Sequence, residues 1–343
     1  MSVAPNARHQ ADRSTSAHMS PGDEMVWVPG GVFQAGSNDF YPEERPVRQL
    51  TVDGFWIDRH PVTNAQFSQF VRETGYVTVA ERAPAAEEYP GAIPEMLVPG
   101  SLVFQRTSGP VRLDDWSQWW RWVPGACWRH PEGPGSSITK RKRHPVVHVA
   151  YKDARAYSEW RGRQLPTEVE WEYAARGGLD GAVFVWGDDE RPQGRVMSNH
   201  WQGEFPWRND LLDRHAGTSP VGSFPPNGYG LFDMAGNVWE WTDDWYIANR
   251  QSLEAPSPCC APVLPRSARL EESLDPTQPE VHIPRKVIKG GSHLCAPNYC
   301  LRYRPAARQP QMVDTGMCHL GFRCVSRSSP AGDEFPGKQC ETR

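Results

Sequence analysis

The chain has 343 residues, of which 38% are hydrophobic, so it is long enough to bury a sizeable core. Its formal net charge of −4 gives no general reason to expect nucleic acid as a partner. The sequence has no apolar run of the roughly 18 residues that a membrane span needs and no apolar segment typical of a secretory signal. We therefore expect a cytoplasmic protein that binds neither a membrane nor nucleic acid.

The 30 glycines and 33 prolines indicate many short elements joined by loops. We predict a single large mixed α+β domain of low regular content over residues 25–328. A disordered N-terminal lead over 1–24 and a loose C-terminal tail over 329–343 flank it, because both segments are polar and rich in proline, glycine or charge.

The first elements are predicted to be strands, in the apolar segments Met25–Gly31 and Thr51–Ile57. Thr63 and Gln66 then have the spacing of a capping box, in which each side chain bonds the backbone of the other residue at a helix start. The helix that they begin is expected to end at Gly75, since glycine adopts the left-handed conformation of a helix end without strain.

The stretch 80–135 has no periodicity and is predicted to be irregular. It is rich in tryptophan, whose flat rings often line grooves for extended peptides, although core packing is the ordinary role of each ring.

Two helices are predicted next, over 152–163 and from a second capping box at Thr167 and Glu170 to Gly177. Between the tryptophan-rich stretch 80–135 and these helices, His144 and His148 stand four residues apart. Pro145 and the β-branched residues around it predict a strand there, so we do not interpret the two histidines as a helical metal site.

Eight cysteines are present, and Cys295 and Cys300 form the most informative pair. Five positions apart, they converge only if the backbone turns between them, as Pro297 and Asn298 allow. Nearby Arg302, Arg304 and His293 would favour the thiolate form. The pair has three outcomes: a disulfide, a redox-cycling dithiol, or a site for a soft metal such as Cu(I), since zinc normally takes four ligands. Spacing alone does not choose among them.

Resemblance to a known family favours the metal. Ser292-His293-Leu294-Cys295, followed by Tyr299-Cys300 and Arg302-Tyr303-Arg304, resembles the active-site signature of formylglycine-generating enzymes, in the sulfatase-modifying-factor family with its C-type-lectin-like fold. Other segments that match this family in order are Trp128–Pro134, His144–Val149, Leu165–Gly178, Asn227–Leu231, Gly236–Trp241 and Gly321–Cys324.

The resemblance implies an oxidase that converts the cysteine of a Cys-x-Pro-x-Arg motif in an unfolded sulfatase to Cα-formylglycine. Cys295 and Cys300 would bind Cu(I), with oxygen and a thiol reductant as co-substrates. Ser292 and Trp239 would line the oxygen and client pocket, with Tyr299 as a further catalytic residue beside them. The plainer alternatives are that Ser292 caps a turn and that Trp239 belongs to the core. We expect the chain to act as a monomer.

The resemblance also implies two structural calcium sites, which would use the side-chain and backbone oxygens that this ion prefers. One site would comprise Asn199, His200, Asp213 and His215, with the histidines contributing backbone carbonyls. The other would comprise Asp233, Gly236, Val238 and Glu240. Spacing alone favours the alternative that these acidic residues are ordinary residues of exposed loops and bind no ion.

The client arginine needs acidic or aromatic partners, for which the candidates are Asp114, Asp115, Trp119 and Trp120. Two other functions stay open at this point. One is a metal-free thiol–disulfide oxidoreductase that uses the same two cysteines. The other is a non-catalytic, calcium-stabilised binding module, against which the presence of both cysteines argues.

Overall fold

A computed structural model describes residues 24–249 and 268–328 of the chain. All but the last residue of the predicted N-terminal lead lies outside the described residues, as does the whole predicted tail from 329 to 343. Cys259, Cys260 and Cys340 also lie outside them.

The described residues form the mixed α+β structure that the sequence predicted, and they contain three α-helices and eleven short strands. The strands are β1 (Met25–Val28), β2 (Gly31–Ala35), β3 (Arg48–Val52), β4 (Phe55–Asp58), β5 (Gly100–Phe104), β6 (Trp120–Pro124), β7 (Trp239–Trp245), β8 (Arg285–Lys289), β9 (Arg308–Met312), β10 (Leu320–Gly321) and β11 (Val325–Ser326), and the helices are α1 (Asn64–Thr74), α2 (Tyr151–Trp160) and α3 (Glu168–Arg176). None of the described helices is long and apolar enough to cross a membrane.

Both predicted capping boxes are present. At the start of α1, the amide of Thr63 donates to Gln66 Oε1 over 2.8 Å, and the amide of Gln66 donates to Thr63 Oγ1 over 3.4 Å. Thr167 and Glu170 make the same reciprocal pair at the start of α3. Gly75 ends α1 with a φ of +68°, a left-handed conformation that favours glycine.

Four small sheets carry the strands, in the orders β1-β4-β11, β10-β7-β8-β9, β2-β3 and β5-β6. The four-stranded sheet positions the predicted site, because the segment between β8 and β9 contains both cysteines of the signature. The parallel pairing of β10 with β7 sets Leu320 opposite Trp239, and the amide of Trp239 donates to the carbonyl of His319 over 2.8 Å. His319 is thereby brought to the edge of the same sheet.

Three local predictions are wrong. The stretch 80–135 is not wholly irregular, since it contains the β5–β6 hairpin, with Phe104 opposite Trp120 and Leu102 opposite Trp122. The strand predicted over Thr51–Ile57 is divided between the end of β3 and β4. Residues 144–149 make only an isolated bridge from Pro145 to Thr63, and His148 has a φ of +58°, which interrupts extended backbone.

The core consists of one large and two smaller hydrophobic clusters. The large cluster packs α1 and α2 against the four-stranded sheet and includes Trp239, Cys295 and Cys300. A smaller cluster, which includes Trp119 and Phe205, adjoins it on the side of the β5–β6 hairpin. The candidate site therefore lies where the sheet, the hairpin and the segment after β8 meet.

Candidate active site

A glycine turn after β8 begins the site. Gly290 and Gly291 have φ values of +92° and +70°. A Cβ atom on Gly291 would lie 2.9 Å from the carbonyl carbon and oxygen of Arg302 and from the Cα of Tyr303, closer than packing permits. The turn thus brings the start of the signature, at Ser292, against its end.

The two cysteines converge, as the signature predicts. Their Sγ atoms are 3.1 Å apart, and both thiols are free. A tight turn between them causes this approach, since the amide of Cys300 donates to the carbonyl of Ala296 over 2.7 Å. Cys295 is 2% exposed and Cys300 is 7% exposed, so both sulfur atoms are largely shielded from solvent.

The two thiols differ in acidity. The hydrogen bond from Cys295 is the largest influence on Cys300 and, with Arg302, lowers its pKa to about 7, while burial raises the pKa of Cys295 well above its usual value. Near neutral pH a large part of Cys300 is therefore thiolate, while Cys295 stays a thiol. A thiolate is the form that binds metals and reacts as a nucleophile.

Arg302 supplies the positive charge near this thiolate. Its Nη1 lies 3.9 Å from Cys300 Sγ, its Nη2 bonds Glu43 Oε1 over 2.7 Å, and its guanidinium lies 3.7 Å from the centroid of the Tyr41 ring. Arg304 does not contribute, because it is paired with buried Glu44. Burial lowers the pKa of His293 to about 4, so that ring is neutral at physiological pH.

Ser292 contacts the cysteine pair directly. Its amide donates to Cys295 Sγ over 3.4 Å, and its hydroxyl oxygen accepts the amide of Leu294 over 3.2 Å. The same hydroxyl lies 3.2 Å from Nδ1 of His319. His319 was not among the predicted site residues, and no local signal marks it, since it stands 27 residues away from Ser292.

The two aromatic site residues have different environments. Trp239 is buried in the hydrophobic cluster that contains both cysteines, which agrees with a core role as well as with a pocket wall. Tyr299 is 36% exposed, stacks on Phe205 with 4.5 Å between ring centroids, and meets the ring of Trp119 edge-on at 5.4 Å. Tyr299 therefore lies between the buried thiols and the surface.

The predicted groove residues divide into two groups. Trp120 packs edge-on against the ring of His319 at 4.9 Å, and Trp119 is fully buried behind Tyr299, so both pack beside the cysteine segment. Trp119 has no exposed surface to offer a groove, and a client contact at Trp120 stays a prediction. Asp114 and Asp115 are exposed on the segment that leads into β6. Asp114 is paired with Arg112, and Asp115 accepts from the amide and hydroxyl of Ser117.

The first predicted calcium site has a feature that suits an ion. Oδ1 of Asn199 is buried and has no hydrogen-bond partner, although buried oxygens normally have one. Asp213 is held nearby, with its Oδ2 accepting Gln202 Nε2 over 3.0 Å and its Oδ1 accepting the amide of His215 over 2.9 Å. Gln202 Nε2 also bonds the carbonyl of His200. These oxygens fit calcium, which stays a prediction.

The carboxylates of the second predicted calcium site already bond protein donors. Both oxygens of Glu240 accept from Arg323 over 2.7 Å, and Oε2 also accepts the indole of Trp171. Asp233 accepts the amide of Gly222 over 2.8 Å. A cation here would share these oxygens with their donors, so calcium at this site is also a prediction. The remaining predicted ligands, Gly236 and Val238, lie between these two acids in the sequence.

Comparison with known proteins places the chain in a family. The model of the sulfatase-modifying factor enzyme 1-like domain matches residues 10–328. The chain belongs to this family. That match encloses the predicted domain and agrees with the signature around the two cysteines.

Several members of the family are similar over most of the chain. The formylglycine-generating enzyme of Mycobacterium tuberculosis is 56% identical, with 88% of this chain and 97% of that protein covered. The enzyme of the same name from Thermomonospora curvata is 46% identical, with 88% and 93% covered. A mouse protein named inactive C-alpha-formylglycine-generating enzyme 2 is 47% identical, with 88% and 85% covered. Family membership alone therefore does not decide activity.

The fold is also that of a solved structure, PvdO from Pseudomonas aeruginosa. The TM-score is 0.56 at 24% identity, and the match covers 90% of this chain and 95% of that one. This likeness concerns the fold only.

Proposed function

We propose that this chain oxidises a cysteine of a client sulfatase to Cα-formylglycine. The observation that carries the proposal is the pair of buried free thiols 3.1 Å apart at the signature, in a chain that is 56% identical to a protein named formylglycine-generating enzyme. The two thiols give the site the reactive group that an oxidation of cysteine needs.

Copper is the cofactor that these residues suit. Two sulfur ligands are soft donors and favour Cu(I). Within residues 24–249 and 268–328, no cluster of three or more histidine, cysteine or acidic side chains could hold a metal, so a four-ligand zinc site has no support there. Bound at Cys295 and Cys300, copper would supply the one-electron chemistry that activates oxygen. Ser292 and Arg302 would hold the two sulfur atoms in place.

The overall reaction balances with oxygen and a thiol reductant. The client CH2–SH group becomes an aldehyde with release of hydrogen sulfide, which removes two electrons from the client. Reduction of O2 takes four electrons, so two external thiols supply the other two and become a disulfide. The four-electron reduction of O2 gives two waters. The two-electron oxidation of the client gives a thioaldehyde, whose hydrolysis to the aldehyde and hydrogen sulfide consumes one water, so one water is formed overall.

The client is proposed to approach along the β5–β6 hairpin. Trp120 and Trp122 share one face of β6, since alternate residues of a strand point to the same side. Trp120 contacts His319, which is hydrogen-bonded to Ser292 beside the cysteine pair, while Trp122 and Leu102 line a cavity of about 360 Å3. Trp116, which is exposed, also lines this cavity. The client residues that flank the reacting cysteine would thus contact these aromatic side chains if they are extended. An unfolded client can present such an extended segment.

The second candidate is a metal-free thiol–disulfide oxidoreductase. The acidic thiol at Cys300 favours it, because a thiolate attacks disulfides. The burial of both sulfur atoms restricts the approach of a partner disulfide and of a client thiol alike, so burial does not choose between the two functions.

One experiment separates the two functions. A peptide containing Cys-x-Pro-x-Arg is incubated with the full chain, Cu(I), oxygen and a thiol reductant, and the product is identified by mass spectrometry. The expected product is the aldehyde, and it should be absent when a Cu(I) chelator or anaerobic buffer is used. Disulfide exchange without aldehyde, unaffected by the chelator, would establish the alternative instead.

A further inference from the structure

His319 is bonded to the hydroxyl of Ser292, which itself contacts the cysteine pair. Oγ of Ser292 lies 3.2 Å from Nδ1 of His319, and the amide of Ser292 donates to Cys295 Sγ. Ser292 is fully buried, whereas His319 is half-buried. A chain of contacts therefore leads from the reactive sulfur atoms through Ser292 to the histidine ring.

The direction of the hydrogen bond follows from the partners of the hydroxyl. Oγ already accepts the amide of Leu294 over 3.2 Å. Within the described ranges of the chain, Nδ1 of His319 is the one acceptor within bonding distance of the Ser292 hydroxyl hydrogen. A buried hydroxyl hydrogen without an acceptor costs free energy, so this hydrogen bonds Nδ1. Nδ1 must then be unprotonated, and Nε2 carries the ring proton.

Two observations support a neutral, fixed ring. Burial, with the nearby rings of His293 and His148, lowers the pKa of His319 well below its usual value, so the ring keeps an acceptor nitrogen at neutral pH. Trp120 packs edge-on against the imidazole at 4.9 Å, and the carbonyl of His319 accepts the amide of Trp239. Packing and backbone thus hold the ring in its orientation toward Ser292.

We propose that His319 is a positioning residue for the oxidation of the client cysteine, and that it acts by accepting the hydroxyl hydrogen of Ser292. With its hydrogen committed to His319, the hydroxyl presents an oxygen lone pair toward the client thiol rather than a hydrogen. The hydroxyl therefore accepts a hydrogen bond from the incoming S–H group. This inference rests on the proposed function, because the client thiol is that of the proposed reaction.

The activity test compares substitutions that differ in where they place an acceptor. In His319→Asn the amide oxygen occupies the place of Nδ1, whereas in His319→Gln it occupies the place of Nε2. We expect His319→Ala and His319→Gln to lower kcat about tenfold, the effect of one hydrogen bond, with KM within about twofold. His319→Asn should restore kcat to within about threefold of wild type. His282→Ala, at an exposed histidine, is the matched control.

A double-mutant cycle tests whether His319 acts through Ser292. Residues in one hydrogen-bonded unit give non-additive effects. His319→Ala should therefore lower kcat little further once Ser292→Ala is present. Independent, multiplying effects would overturn the proposal, as would a His319→Asn variant no more active than His319→Ala.

Nuclear magnetic resonance tests the hydrogen bond without turnover. In the metal-free protein with 15N-labelled histidine, the His319 ring should show the Nε2–H tautomer, and Ser292→Ala should shift its Nδ1 resonance. A ring that carries its proton on Nδ1 would overturn the proposal even if the enzyme is active. If wild type forms no aldehyde, the proposed function fails. The NMR spectrum still shows in that case whether Nδ1 of His319 accepts the hydroxyl hydrogen of Ser292.

Discussion

Tyr299 stacks on Phe205 with ring centroids 4.5 Å apart and ring planes 4° from parallel. Because Tyr299 directly precedes Cys300 in the chain, this contact ties the cysteine segment to the loop around 205. The edge of Trp119 closes the same cluster at 5.4 Å from Tyr299. The segment that carries the thiols is therefore bordered by aromatic rings that pack on one another.

Tyr299→Ala should lower kcat/KM for a client peptide by about tenfold, because one aromatic pair contributes about 0.5–1.5 kcal/mol beyond its buried area. Tyr299→Phe keeps the stacked ring and should lose less than about threefold. Steady-state kinetics on both variants measures the difference. If the phenylalanine variant is as impaired as the alanine variant, the hydroxyl and not the stacking is what matters.

Arg302→Leu should raise the pKa of Cys300 in the metal-free protein. The wild-type thiol is expected to titrate near the value of about 7 that its hydrogen bond from Cys295 and the Arg302 charge produce. Without the positive charge the thiolate is less favoured, so its ultraviolet absorbance should develop at higher pH. Arg112→Leu, an exposed arginine paired with Asp114, is the control and should leave the titration unchanged. An identical titration in both variants would show that Arg302 has no influence.

Features with local causes were predictable from the sequence. The caps of α1 and α3 are set by Thr63, Gln66, Thr167 and Glu170, whose side chains bond backbone within three residues. The convergence of the two cysteines was predicted from the family resemblance, because the local pattern at Pro297 and Asn298 only allows a turn between them.

Features with long-range causes were not predictable. Pairing of β5 with β6 joins segments about 20 residues apart, through a stretch without periodicity. The bond of Ser292 to His319 depends on the parallel pairing of β10 with β7, which no local pattern indicates. The hydrogen-bonded ion pair of Glu43 and Arg302 joins residues 259 positions apart in the sequence.

Asn199→Ala should reduce the protection that added calcium gives against thermal unfolding, because a ligand that binds only the folded state raises Tm. The side-chain oxygen Oδ1 of Asn199 is buried without a hydrogen-bond partner, and we expect it to be a ligand of the ion. Asp213→Ala should behave in the same way. If both variants gain as much Tm from calcium as wild type does, the first calcium site is wrong.

Glu240→Ala should lower the Tm of the protein both with and without calcium. Its loss leaves the buried guanidinium of Arg323 without its carboxylate partner, a change that typically costs about 3–5 kcal/mol. Thermal unfolding in chelator and in calcium measures both effects. A large loss of Tm only when calcium is present would contradict this account and favour an ion at Glu240.

Replacing both Asp114 and Asp115 with asparagine should raise KM for a client peptide that contains the motif arginine. Both carboxylates are exposed beside β6, where a guanidinium could approach them. The matched control is the same peptide with glutamine in place of arginine, for which the variant and wild type should have equal KM. An equal KM on the arginine peptide would remove these acids from the client site.

The central claim is that Cys295 and Cys300 together hold the copper that produces formylglycine. Its most direct test is aldehyde formation by wild type, Cys295→Ser and Cys300→Ser with stoichiometric Cu(I), alongside the copper bound per chain. Serine is too hard and too weakly acidic to replace a thiolate ligand, so each variant should retain its fold but lose both copper and turnover. Cys324→Ser, at a free buried cysteine outside the signature, is the control and should keep both. Substantial turnover by either signature variant would contradict the account.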